Sequence, residues 1–182
     1  MSPPTAATLE PPARATRRRG VVALFSLTLV LSAGLVFLVQ PMFARFLLPL
    51  LGGTPAVWTT AMLFFQTVLL LSYLYAHWSI ARFGARRQAA LHLALVAGAL
   101  IFLPIGLPGD ATPPATGTPV PWLLLTMLVS VGLPFYVVSS TAPLLQSWLA
   151  DTDHPDSRDP YFLYRASNIG SAVGLLSYPF LV

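Results

Sequence analysis

Residues 34–60 read Gly-Leu-Val-Phe-Leu-Val-Gln-Pro-Met-Phe-Ala-Arg-Phe-Leu-Leu-Pro-Leu-Leu-Gly-Gly-Thr-Pro-Ala-Val-Trp-Thr-Thr. They join two long apolar segments through a connector that is itself apolar, broken by Pro41, Pro49, Pro55 and the pair Gly52-Gly53, with Arg45 its single charge. Thr54 before Pro55 reads as a helix start, a hydroxyl N-cap followed by proline at the first helical position. So apolar a connector is expected to lie in a membrane interface or to dip back as a re-entrant turn, which is tolerated only where protein covers its open backbone.

The rest of the chain agrees with a membrane setting. Of 182 residues, 55% are hydrophobic and 9% charged, with mean hydropathy +0.72; a soluble domain carries about 25% charged residues. The composition therefore predicts an all-α, polytopic transmembrane bundle. There is no cysteine, which excludes disulfides and thiolate metal sites. The net charge of +4 comes from arginine alone, against six acidic residues. Lysine-free, Ala/Pro/Arg-rich usage fits a GC-rich bacterial genome.

Working outward, residues 1–20 are polar, proline-rich and end in Arg14, Arg17, Arg18 and Arg19, as a disordered basic cytoplasmic tail would. Five spans are expected, at about 21–40, 55–80, 88–107, 122–150 and 160–182, since about 20 apolar residues cross a bilayer. The fourth would be about 43 Å long at 1.5 Å per residue, so tilt or a kink at Pro134 or Pro143 is expected. Asp159 as N-cap and Pro160 open the fifth. It runs apolar through Tyr178-Pro179-Phe180-Leu181-Val182 without a polar flank and is read as cut from a longer chain.

With the N-terminus cytoplasmic, Arg14, Arg17, Arg18, Arg19, Arg82, Arg86, Arg87, Arg158 and Arg165 all fall inside and only Arg45 outside. This positive-inside bias predicts a multi-pass protein of the bacterial inner membrane. It also explains the basic charge without nucleic acid, so the partners expected are the bilayer and a soluble domain or subunit. Trp58, Trp78, Trp122 and Trp148 fall near span ends, as interfacial anchors do.

Few residues suggest chemistry. Arg45 is a candidate anion or substrate contact beside the Thr54-Pro55 helix start, where free N–H groups favour negative charge; the alternative is an arginine snorkelling to the interface. Gln40, Gln66, Gln146 and Asn168 are uncharged polar groups in or beside spans, expected to hydrogen-bond between helices, and Gln40, Gln66 and Asn168 join Arg45 as candidate substrate contacts. Ala166, Gly170 and Gly174 recur every fourth residue, a small-residue stripe for close helix packing. His77 and His92 are read as interfacial or packing histidines. Asp151, Asp153, Asp156 and Asp159 lack the glycine and terminal glutamate of a calcium loop and read as solvated. No acidic residue lies within a span. There is no glycine-rich nucleotide turn, no Ser/His/Asp arrangement and no zinc set, so no catalytic, cofactor-binding or metal residue is assigned.

Two resemblances add to this. Arg82-Phe83-Gly84-Ala85-Arg86-Arg87 resembles the loop between the second and third helices of the major facilitator superfamily, with Ala81 where that loop is acidic. The blocks at 32–45 (Ser-Ala-Gly-Leu-Val-Phe-Leu-Val-Gln-Pro-Met-Phe-Ala-Arg), 51–60 (Leu-Gly-Gly-Thr-Pro-Ala-Val-Trp-Thr-Thr), 140–146 (Ser-Thr-Ala-Pro-Leu-Leu-Gln) and 159–168 (Asp-Pro-Tyr-Phe-Leu-Tyr-Arg-Ala-Ser-Asn) resemble the N-terminal membrane region of bacterial spermidine-synthase-like membrane proteins. In that family facilitator-type helices are fused to an aminopropyltransferase-like domain that holds the cofactor and substrate residues. The resemblance covers about Val21 to Val182. It implies a membrane module that anchors or serves such a downstream domain, with polyamine chemistry located there. The alternatives are a facilitator-type transport module for a small solute and a structural assembly subunit.

Overall fold

The computed structural model describes residues 12–109, 111–152 and 161–181, with side chains from Gly20 onward. The described chain is helical: α1 Pro12–Leu51, α2 Pro55–Ala99 with a 3-10 turn Leu100–Phe102, α3 Val120–Met127, a π-helical stretch Leu128–Gly132, α4 Leu133–Ala150 and α5 Tyr161–Leu181. Three helical stretches are long and apolar enough to cross a membrane, 20–51, 55–102 and 120–150. That replaces the expected five. The fifth segment falls short because Arg165, Ser167, Asn168, Ser171 and Ser177 dilute its apolar run.

The second and third expected spans run together in α2, but not as one straight rod. Gly84 has φ 70° and ψ 166°, a backbone state open essentially to glycine alone. Seventeen residues of straight helix would separate Tyr75 from His92 by about 25 Å. Their rings are 6.3 Å apart. The chain therefore reverses at Gly84, making a hairpin of two arms, 55–83 and 85–99.

α1 differs from its expected bounds at both ends. It passes through Pro41 and Pro49 and stops only at Leu51, so the expected interfacial or re-entrant connector shrinks to residues 52–54. Prolines are tolerated here because ending the helix in apolar surroundings would strand more backbone groups than each ring removes. Gly52, at φ 72°, makes the turn. Thr54 and Pro55 do start α2, although the Thr54 hydroxyl makes no cap; its carbonyl accepts from Val57 and Trp58 at 3.1 and 3.2 Å. At the other end, residues 12–20 continue α1 where a disordered tail was expected, because extending an existing helix carries no nucleation cost. The third expected span ends early, at Phe102 rather than 107, just before Pro104.

The fourth expected span is continuous from Val120 to Ala150, and its irregularity lies one turn ahead of Pro134. The proline ring would clash with the carbonyl four residues earlier, at Ser130, and the widened stretch Leu128–Gly132 relieves this.

Two clusters mark the ends of the bundle. Val39, Phe43 and Leu47 of α1 meet Val57, Phe64 and Phe65 of α2 and Leu123, Met127 and Phe135 at the connector end. Leu29 of α1, Leu145 and Leu149 of α4, and Leu163 and Ala166 of α5 meet at the other. The Gly84 turn lies at this second end, since Gln88, just past it, bonds Trp148. Arg82, Arg86 and Arg87 therefore share an end with the N-terminal turns of α1, and Arg45 lies toward the opposite one. Many large apolar side chains face outward, Ile101 and Phe180 over 80% exposed among them, an arrangement that suits lipid rather than water.

Candidate functional site

The closest approach in the fold sets up the site. α1 and α5 run parallel: Gly34 lies against Gly170 and Gly174, Val30 against Gly170, and Tyr178 donates to the Pro41 carbonyl at 3.4 Å. Ala166, Gly170 and Gly174 are buried on this face. A Cβ at Gly170 would overlap the Val30 backbone, and one at Gly174 would overlap the Gly34 backbone. Only glycine lets the two backbones meet here.

This packing leaves a groove on one side of the seam, floored by α4. Ser32, Ala33, Val36 and Phe37 of α1, Leu69 and Tyr73 of α2, Val138, Ser139 and Ala142 of α4, and Ser167 and Ser171 of α5 line it, enclosing about 80 Å³. The lining is uncharged and mostly apolar, with the hydroxyls of four serines and Tyr73 set among it. Ser32, Ser139 and Ser171 turn their hydroxyls onto their own helices, donating to Leu29, Tyr136 and Ser167 carbonyls at 3.2, 3.2 and 3.0 Å.

Two of the sequence candidates flank this groove. Gln40 follows Ala33 by seven residues and Val36 by four, so it continues the α1 stripe; it is half-buried. Gln66 precedes Leu69 and Tyr73 on α2 and is exposed. Each lies eleven residues from the helix end at the 52–54 turn, so the two stand level, about 16 Å from that end and near mid-bilayer. Asn168 is exposed on the side of α5 away from α1. The expectation of interhelical burial for Gln66 and Asn168 is thus corrected, because the apolar and small residues beside them take the contact faces. Arg45 is exposed on α1, near the connector end. The structure does not gather the four into one site.

A second polar group lies inside the bundle. Of the two alternatives for His92, interfacial or packing, the structure shows packing: it is 3% exposed, and Gln88 is 0% exposed. The Gln88 amide donates to the Tyr75 hydroxyl at 3.4 Å, and its Oε1 accepts from Trp148 Nε1–H at 2.7 Å. Trp148, expected as an interfacial anchor, is thus spent on a bond inside the bundle, while Trp58 and Trp78 are exposed. His92 Nε2 lies 3.3 Å from Thr141 Oγ1, and its ring is 6.0 Å from that of Trp148. The hint in sequence was the spacing of Gln88 and His92, one helical turn apart; what they face depends on the reversal at Gly84. His77 is exposed.

A larger groove, about 300 Å³, lies between α1, the second arm of α2 and α4. Leu35, Val39, Val96, Leu103, Pro134 and Phe135 are among its walls, all apolar. Among the described residues no three His, Cys, Asp or Glu side chains come together as a metal would need. Asp153, His154, Asp156, Arg158, Asp159 and Pro160 lie outside the described residues.

No known protein family, curated protein or solved structure matches the chain. The site has to be read from its own chemistry.

Proposed function

We propose that this chain is an integral membrane module that anchors and serves an aminopropyltransferase-like domain or subunit at the inner face of a bacterial plasma membrane. The observation that carries the reading is where the motif blocks meet. Blocks 32–45, 140–146 and 159–168, the first nearly a hundred residues from the other two, supply Ser32, Ala33, Val36, Phe37, Ala142 and Ser167 to one groove. Sidedness supports the orientation: the arginine-bearing turns share one end of the bundle, the end that the positive-inside bias directs to the cytoplasm.

A groove of about 80 Å³ is well below the roughly 300–1,000 Å³ of small-molecule sites, and it carries no charge for a polyamine cation. The chemistry of such a protein therefore belongs to the soluble partner, and the groove is a by-product of helix packing. The test is to delete the gene in a bacterium that carries it and assay aminopropyl transfer to a polyamine in membrane and soluble fractions. Loss of the activity from the membrane fraction is expected; an unchanged distribution would refute the reading. A transport role draws on the same uncharged, hydroxyl-bearing groove, and it predicts uptake of an uncharged or zwitterionic solute into vesicles holding the purified chain.

A further inference from the structure

We infer that His92 is a proton-operated latch between the second arm of α2 and α4. The bonding around it favours one neutral tautomer. The Thr141 hydroxyl has one proton, and its shorter contact is to the Val137 carbonyl at 2.9 Å. Spending the proton there, it accepts from His92, with the imidazole proton on Nε2. In that tautomer Nδ1 is an acceptor, buried and without a hydrogen-bond partner among the described residues. Such an orphan at the seam of two helices is uncommon in a settled core.

The surroundings decide what a proton would do there. α4 presents Thr141 and Trp148 and the first arm of α2 presents Tyr75; behind these, Tyr136 of α4 packs on Tyr75, and Gln88 of His92's own arm bonds Tyr75 and Trp148. Of these only the two tyrosines titrate, and neither is charged at neutral pH. Arg86 and Arg87 on the same arm and Asp151 at the end of α4 are exposed. Among the described residues no carboxylate faces the ring to balance an imidazolium. A proton taken from water onto Nδ1 would make a second N–H donor with no acceptor among the described residues and a charge in a buried, uncharged seam, and both are costly while the seam is closed. Opening the seam lets water solvate both. Protonation and separation of the arm from α4 are therefore one event, drawn toward the arginine-bearing end where the hairpin turns.

The latch goes beyond the anchoring role and stands or falls apart from it. The full chain is placed in lipid nanodiscs, and hydrogen exchange of residues 85–99 is compared with that of His92→Gln at matched pH values. At pH 8 the two should exchange alike. Below about pH 6.5, where an exposed histidine takes up its proton, the arm of the unsubstituted chain should open about tenfold more for each further pH unit, and that of the variant should not. Equal exchange in both chains across the whole range overturns the latch. Because a buried substitution can unfold the bundle, the unsubstituted chain is also labelled with 15N-histidine, with His77→Gln and His154→Gln used for assignment. The Nε2–H tautomer of His92 at pH 8, lost in step with the opening, is expected; an Nδ1–H tautomer, or titration without faster exchange, overturns it.

Discussion

Alanine substitution along the α1–α5 seam tests the packing quantitatively, because the glycines differ sharply in what a methyl group would meet. At Gly170 and Gly174 the added carbon falls on the backbone of Val30 and Gly34, which cannot rotate away as a side chain could. The helices must separate, and overpacking of this kind costs about 1–3 kcal/mol. Against that stands about 0.5–1 kcal/mol gained from removing a glycine from a helix, leaving a net loss of roughly 1–2 kcal/mol at each site. At Gly34 the nearest atom is the Gly170 carbonyl oxygen at 3.2 Å, a gap that a few tenths of an ångström of movement relieves. Its two terms should nearly cancel. Gly98, with nothing within 4 Å, should show only the gain. The expected order of stability is Gly98→Ala, then Gly34→Ala, then Gly170→Ala and Gly174→Ala, with about 2 kcal/mol between the extremes. Reversible unfolding in mixed micelles with rising SDS, followed by far-UV circular dichroism, reads it. If Gly170→Ala and Gly174→Ala are as well tolerated as Gly98→Ala, the two backbones do not touch and the parallel seam is wrong.

Gly84→Ala should cost about 1–3 kcal/mol, since φ 70° with ψ 166° is closed to alanine; the same unfolding assay checks it, with the excess exchange appearing in residues 85–99. A double-mutant cycle of Gln88→Leu and Trp148→Phe should return a coupling of about 0.5–1.5 kcal/mol for their 2.7 Å hydrogen bond, and a coupling near zero would mean that the arm does not dock there. Gln66→Leu, at an exposed position facing lipid, should leave the isolated chain as stable as before or slightly more so; a loss above about 1 kcal/mol would show that the amide has a partner within the bundle.

The broad architecture was legible because composition and apolar runs are strong signals. Charge depletion announced the membrane, Thr54-Pro55 announced the start of α2, and the arginine clusters marked one end. Boundaries were less legible. Pro41 and Pro49 read as breaks because in water a helix can stop and let solvent take its free groups; in an apolar setting the continued helix to Leu51 leaves fewer of them bare. The site was harder still. Gln66 and Asn168 look like interhelical glue in one dimension, yet the contact faces of their helices belong to smaller or more apolar neighbours. His92 was open to two readings, interfacial or packing, and nothing in one dimension chose between them. Its burial is created by α4, whose approach follows from a hairpin that one glycine dihedral sets. Only the fold brings residues 75, 92, 141 and 148 together.

The most direct test of the account is the sidedness of the bundle, for which the cysteine-free sequence is a ready background. Thr54→Cys at the connector turn and Ala81→Cys beside the arginine turn, both at exposed positions, would be made singly and probed in intact bacterial cells, outer membrane permeabilised, with a maleimide that cannot cross the inner membrane. The account predicts labelling of Thr54→Cys from outside and of Ala81→Cys only after the inner membrane is opened. The reverse pattern, or equal labelling of both from outside, would contradict an anchor that turns its basic end to the cytoplasm.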